Sequence, residues 1–219
     1  MKSLKTKILS LNIGQPQKMV WQNQETQSSM LKSPVAGPLE VSMTSIKGDS
    51  FQSPQIHGTP FSVIYVLGMN TAKAYMKSLG QDSYQPGALG ENLTLEHFDE
   101  ADIGIGDIFQ VGEVVAQCTF PRIPCFKVNI RMQHPDGQAN MKSLGRSGAY
   151  FSIIKPGRIF ITDTFERISQ PSDFIPLQEV YRKKAQGEPM SKSDYERFLA
   201  NPFLPTSYKE SLKTKLSSQ

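Results

Sequence analysis

Three features predict a mainly β protein with some α structure. Short β-like segments follow one another at close spacing, a single short amphipathic helix interrupts them, and the last fifty residues change to helical patterning. The expected architecture is a barrel or sandwich over residues 1–170 and a small three-helix domain over 171–219. A chain of 219 residues is long enough for one good core, or for a domain of about 150 residues with a small appendage.

Residues 5–12, KTKILSLN, read as the first strand. The polar, proline-containing sequence that follows, as far as Pro38, is too irregular for a long helix. LEVSMTSI (39–46) reads as a strand closed by the turn chemistry of KGDS. Residues 61–67 are β-branched and aromatic, which suits a buried strand. In TAKAYMKSLG (71–80) the period changes: Ala72, Tyr75, Met76 and Leu79 fall at i, i+3, i+4 and i+7, with Gly80 placed to end the helix. Residues 106–120 read as two short strands around Val111-Gly112. Residues 149–154 and 158–168 read as two more, joined at Lys155-Pro156-Gly157. In the tail, LQEVYRKKAQ is helical in pattern, and Ser193 with Glu196 and Ser207 with Glu210 both fit the S-x-x-E capping box. Pro202 and Pro205 separate the two helices that these boxes would start. MKSLG occurs at 76–80 and at 141–145, too short a match to signal a repeat.

Composition excludes several classes. No apolar run approaches membrane-spanning length, and the apolar stretch after the first lysines is too short for a signal peptide, so a cytoplasmic protein without a membrane partner is expected. The net charge of +4 is mildly basic and dispersed, which suits an anionic ligand and argues against nucleic acid. There is no GxxxxGK[ST] phosphate loop and no CxxC spacing for zinc.

The two cysteines differ in setting. In VVAQCTF, Cys118 shares a face with Val114, Ala116 and Phe120 and reads as a small buried hydrophobe. Cys125 follows two prolines in PRIPCFKV (121–128). If CFKVNIRM continues as a strand, Phe126, Val128, Ile130 and Met132 form its apolar face, and Cys125 joins Lys127, Asn129 and Arg131 on the other, with Arg122 just upstream. Cations beside a thiol favour the thiolate, a better nucleophile and metal ligand, and Pro121 and Pro124 stiffen the turn that carries it. The residues alone leave a second reading open, in which Cys125 is a strand-start residue and the cations are solvated. A Cys118–Cys125 disulfide is disfavoured in a reducing compartment.

PGALGENLT (86–94), IGDIFQVGEVVAQC (105–118), PRIPCFKV (121–128) and GAYFSIIKPGRIFITD (148–163) occur in the order seen in the MOSC domain family, named for the C-terminal domain of molybdenum-cofactor sulfurases. Within it the chain most resembles the stand-alone YiiM-like branch. LNIG (11–14), KSPV (32–35) and a GD…HG element (48–58) fit the front of the domain, and LQEVYR with the helical tail resembles the three-helix domain that often follows. The resemblance implies a MOSC-type β-barrel that holds the pterin-based molybdenum cofactor, molybdopterin, with Cys125 as molybdenum ligand or sulfur carrier. It also implies reduction of N-hydroxylated small molecules, with electrons from a separate reductase; a homodimer is compatible with it.

Other site residues carry over through the same resemblance. His57 opens the HGG-like element and could donate a proton to the leaving hydroxyl; a loop histidine held by hydrogen bonds is the competing reading. Lys32, Asn92, Arg122 and Arg131 are candidate cofactor contacts. Set against these roles are a solvated lysine, a turn-forming amide, a structural ion pair and a solvated strand-edge arginine. Glu91 fits a turn cap. HGG is represented by His57-Gly58-Thr59, and the acidic residue of the family's GDxxAD is missing from GDSFQSP. These departures touch the pocket and leave the fold unaffected. Two further functions fit the same residues. One is a non-catalytic carrier of cofactor or sulfur; the other is a degenerate scaffold that contacts a partner through its tail.

Overall fold

Alternation along the first strand, β1 (Lys5–Ile13), buries Thr6, Ile8 and Ser10 on one side and turns Lys5, Lys7 and Leu9 outward. The computed structural model in which it lies describes residues 3–21, 24–50 and 60–217. A hairpin follows, β2 (Gln17–Trp21) and β3 (Gln24–Ser28), then β4 (Ser33–Pro34), β5 (Leu39–Val41), β6 (Ile64–Gly68) and helix α1 (Met69–Ser78). Next come β7 (Leu93–Leu95), β8 (Gly104–Ile105), β9 (Ile108–Val111), β10 (Val114–Pro121) and helices α2 (Lys127–Met132) and α3 (Gly137–Leu144). The last strands are β11 (Ala149–Lys155), β12 (Gly157–Ile159), β13 (Thr164–Ser169) and β14 (Ile175–Pro176). Helix α4 (Leu177–Tyr181) continues as a π turn, Arg182–Gln186, before α5 (Lys192–Ala200) and α6 (Thr206–Ser217).

The main sheet runs β13-β9-β10-β11-β6-β7-β1-β4, and pairing of β1 with β13 closes its first seven strands into a barrel. Every pairing in it is antiparallel except β6 with β7, which α1 connects, as a crossover between parallel strands requires. Phe109, Phe151 and Phe165 point inward from β9, β11 and β13 and meet Phe98, with ring centroids 4.5 to 6.4 Å apart. Each ring is buried, contributing on the order of 2–3 kcal/mol by its removal from water. Tyr195, Phe198, Leu204, Tyr208 and Leu212, in and between α5 and α6, join the same apolar cluster as the barrel. No helix among the described residues is long and apolar enough to cross a membrane.

The structure corrects several sequence expectations. CFKVNIRM is not a strand: Val128 N–H bonds to the Cys125 carbonyl at 3.0 Å, and α2 begins there. The discriminating residue is Phe126, which a strand would bury beside Val128 and which is 53% exposed. The run 158–168 is broken by a turn at 160–163, where Phe160 N–H bonds to Asp163 Oδ2. β12 therefore pairs with β5, while β13 pairs with β9 and β1. The predicted strand 39–46 shrinks to β5, with Ile46 folded back to bridge Val41. The capping box of α5 is Ser191 with Asp194 instead of Ser193 with Glu196. Lys183 Nζ, 3.0 Å from Asp194, ties that choice to the preceding turn. Helix α6 starts before Ser207, because Lys209 N–H already bonds to the Pro205 carbonyl.

The aspartate of the IGD motif has a structural task. Asp107 Oδ2 lies 2.9 Å from Arg167 Nη1, and both side chains are sealed from solvent. Gly104 N–H and Gln170 Nε2 also donate to that oxygen, and Arg167 donates to the Asp102 carbonyl. This clasp joins the start of β9 to β13. Removing one partner of a buried pair costs about 3–5 kcal/mol. Asp107→Ala should lower the unfolding free energy in urea by about that much, and Arg167→Met added to it should restore part of the loss. An Asp107→Ala protein as stable as wild type would refute the clasp.

Candidate functional site

Strand β10 delivers the site. Its last residues pair with β11, Phe120 opposite Tyr150 and Pro121 opposite Ala149, and Arg122 N–H then bonds to the Gly148 carbonyl. Gly148 has φ +78°, and a Cβ there would lie 2.2 Å from the Val66 carbonyl, so only glycine fits where β6 and β11 crowd together. Beyond Arg122 the chain leaves the barrel through Ile123, Pro124 and Cys125 into α2. Prolines at 121 and 124 allow few backbone alternatives along this path. Cys125 is half-buried and lines a cleft with Lys32, Tyr65, Asn92, Arg122 and Lys127. Cys118 is fully buried in the core, as its strand face predicts.

Arg122 dominates the electrostatics. It is 3% exposed, and no carboxylate lies within ion-pair distance of it among the described residues. Its Nη1 meets the weak acceptor Met141 Sδ at 3.4 Å, and its Cζ lies 5.9 Å from the centre of the Tyr65 ring. Burial opposes its charge, while Tyr65, Tyr150 and Cys125 favour it only in their ionised forms, which hold its pKa above the ordinary value at the high pH where it would titrate. Burial in turn raises the Tyr65 and Tyr150 hydroxyls, so neither phenol supplies a counter-charge near neutral pH.

Lys32 is also buried, but it is paired. Its Nζ donates to Asp49 Oδ2, which also accepts from Asn92 Nδ2 at 2.9 Å, and Asp49 Oδ1 accepts from Gly14 N–H at 2.8 Å. Burial lowers the Lys32 pKa, against the opposing pull of Asp49. Asn92 Oδ1 accepts from Tyr65 N–H, and its amide also donates to the Asn12 carbonyl. Lys32 and Asn92 therefore line the cleft while being held by Asp49, a residue quoted in the GD element but not singled out by the sequence reading. With that pair neutralised, Arg122 is the buried cation of the cleft that has no carboxylate within ion-pair distance among the described residues. Lys127 Nζ reaches the Gln27 carbonyl of the hairpin at 3.0 Å.

The other predicted residues fall elsewhere. Arg131 does not line the cleft; its Nε donates to the Ala88 carbonyl and fastens α2 to the 84–90 loop. Asn129 likewise turns away, to Pro135 and Gln138. Glu91 is the organiser of that loop: fully buried, it accepts from Tyr84 OH, Gly87 N–H, Leu89 N–H and Thr94 Oγ1. This holds Gly87, at φ +87°, against the Lys32 carbonyl, where a Cβ would come within 2.6 Å. His57, with Gly58 and Thr59, lies outside the described residues. Among the described residues, no group of three or more His, Cys, Asp and Glu is placed to hold a metal ion. Of the described residues lining the cleft, Cys125 is the one whose thiol a metal could take.

A profile of the MOSC domain matches residues 53–166, which include every strand from β6 to β12 and the path from β10 to Cys125. The chain belongs to the MOSC domain family. It is 27% identical to protein YiiM of Escherichia coli over 195 residues, 88% of this chain and 86% of that one. It is 30% identical over 149 residues to a protein named reductase in Gibberella moniliformis, covering 67% of this chain but 27% of that longer protein. The solved structure of YiiM from Geobacillus stearothermophilus superposes with a TM-score of 0.79 at 23% identity, covering 96% of this chain and 99% of that one. The barrel is thus the MOSC fold.

Two measurements test this MOSC cleft. An aromatic disulfide reagent should modify one thiol of the native protein, Cys125, while Cys118, whose pKa burial and Asp107 raise, should react only after unfolding. Equal native rates at both would refute the assignment. The second concerns Glu91, whose carboxyl burial pushes above its ordinary range. A raised folded pKa means that the native state holds the proton more tightly than the unfolded chain. Native stability is then lost as pH climbs from the unfolded value of about 4.3 toward the folded one. Against wild type, Glu91→Gln should therefore gain relative unfolding free energy as pH rises above the ordinary glutamate range of about 4; parallel curves would refute it.

Proposed function

We propose that the chain is a molybdenum-cofactor-binding oxidoreductase that reduces N-hydroxylated compounds, with Cys125 as the protein's metal ligand. The observation that carries this reading is Arg122, a buried guanidinium without a carboxylate partner among the described residues, in the same cleft as a half-buried thiol. A cation enclosed in this way needs an anion, and a phosphorylated pterin would bring one. The thiolate is a soft donor of the kind redox-active metals take. Membership of the MOSC family and the likeness to a protein named reductase support the same class of chemistry.

In this reading Arg122 and Lys127 hold the phosphate. Asp49 fixes Lys32 and Asn92 as a rigid polar wall, and Glu91 sets the backbone of the loop beside them. The bound cofactor supplies the two-electron chemistry that side chains lack. Turning an N–OH group into N–H and water takes two electrons and two protons. The electrons come from a separate donor protein, and His57 is the proposed proton donor to the leaving hydroxyl.

Protein made in a host that synthesises the cofactor should contain molybdenum and pterin in proportion to its reductase activity, and Cys125→Ala should lose the metal and the activity together. Arg122→Gln should weaken cofactor retention by about tenfold to a hundredfold, the worth of a hydrogen bond to a charged group. Activity that persists in Cys125→Ala, or in protein from cofactor-deficient cells, would overturn the reading.

A further inference from the structure

Cys125 lies on two cavities. Besides the polar cleft it borders a larger one, of about 1130 Å³, between the end of the barrel and the helical tail, and Ser62, Ile123, Lys127 and Tyr150 are shared with it. That volume is ample for a ligand of several rings. Its walls include Phe61, Phe120 and Tyr208, the last two meeting edge to face at 4.9 Å, with prolines 60, 121, 124 and 205 around them. Lys127 and Lys184 are its charged lining residues, and no Asp or Glu lines it among the described residues.

Lys184 reaches this cavity from the π turn Arg182–Gln186, a rare backbone form that recurs at functional sites. Its neighbours on that turn are paired: Arg182 with Glu188 at 2.9 Å and Lys183 with Asp194 at 3.0 Å. Lys184 Nζ instead lies 5.4 Å from the centre of the Tyr208 ring, with no carboxylate within ion-pair distance among the described residues. Burial, and then Lys215, lower its pKa, as expected for a cation lacking a counter-charge.

We propose that this cavity binds a planar aromatic anion, its rings among Phe61, Phe120 and Tyr208 and its carboxylate or sulfonate on Lys184, and presents it to Cys125. That the bound molecule is the substrate rests on the function proposed above; that the cavity binds it rests on the cavity alone. The tail then has a task at the site, since it supplies the floor ring and the cation.

The test uses the full chain free of cofactor. Its probes are 2-naphthoate and the uncharged 2-naphthamide, and its readouts are calorimetric binding and protection of Cys125 from iodoacetamide. Naphthoate should bind one to one and slow alkylation. Lys184→Gln should weaken naphthoate about tenfold and leave naphthamide unchanged, and Tyr208→Leu should weaken both. Absence of protection, or equal effects of Lys184→Gln on the two probes, overturns the proposal. Protection in a protein that never acquires molybdenum keeps the site and removes the function above. Molybdenum and activity without protection remove the site alone.

Discussion

A guanidinium held in the interior, with no carboxylate beside it among the described residues, is the constraint around which this end of the barrel is arranged. The Arg122 backbone is fixed, with its N–H tied to Gly148 and its carbonyl accepting the Ser147 hydroxyl, and its guanidinium is enclosed against Met141 and the Tyr65 ring. Its phenol neighbours cannot cancel its charge, since burial keeps both protonated. An isolated buried ion is unfavourable by several kcal/mol, so the barrel's other contacts must offset it. The buried Phe98, Phe109, Phe151 and Phe165 cluster is the apolar burial in the barrel that offsets such a cost.

The surroundings of Arg122 separate two kinds of positive charge. Lys32 has its own anion in Asp49, and that pair shapes the cleft without adding net charge. Arg122 is buried with no carboxylate within ion-pair distance among the described residues. The difference matters chemically: a neutralised pair positions amides such as Asn92, whereas an enclosed guanidinium with no carboxylate beside it among the described residues attracts an anion. Rigidity comes from the other side, where Glu91 gathers the donors of the 84–94 segment and Arg131 ties that segment to α2.

Much of this was legible in the sequence, and the failures have physical reasons. The paired strands around Gly112, the helix ending near Gly80 and the burial of Cys118 follow from alternation, period and glycine at positive φ. The segment after Cys125 misled because six residues are too few to separate periods. Val128, Ile130 and Met132 are buried in the helix as they would be in a strand, and Phe126 alone tells the two apart. A usable signal for the next helix was present: MKSLG ends α1 near Gly80 at φ +69° and ends α3 at Gly145 at φ +75°, so the short repeat marks the same helix terminus twice. Asp49 escaped notice because its partners lie 17, 35 and 43 residues away, and no local pattern encodes them.

The prolines around Cys125 make sense once both cavities are considered. A thiol in the middle of a strand can face one side of a sheet only. A thiol on a stiff segment leaving the barrel, between Pro124 and the first turn of α2, borders the charged cleft and the aromatic chamber at once. The strand reading placed Cys125 among cations for the wrong geometric reason and still reached the right neighbours in Arg122 and Lys127. Departure from the sheet is what allows one sulfur atom to stand between a place suited to a phosphate and a place suited to an aromatic ring, which a continuous strand could not arrange.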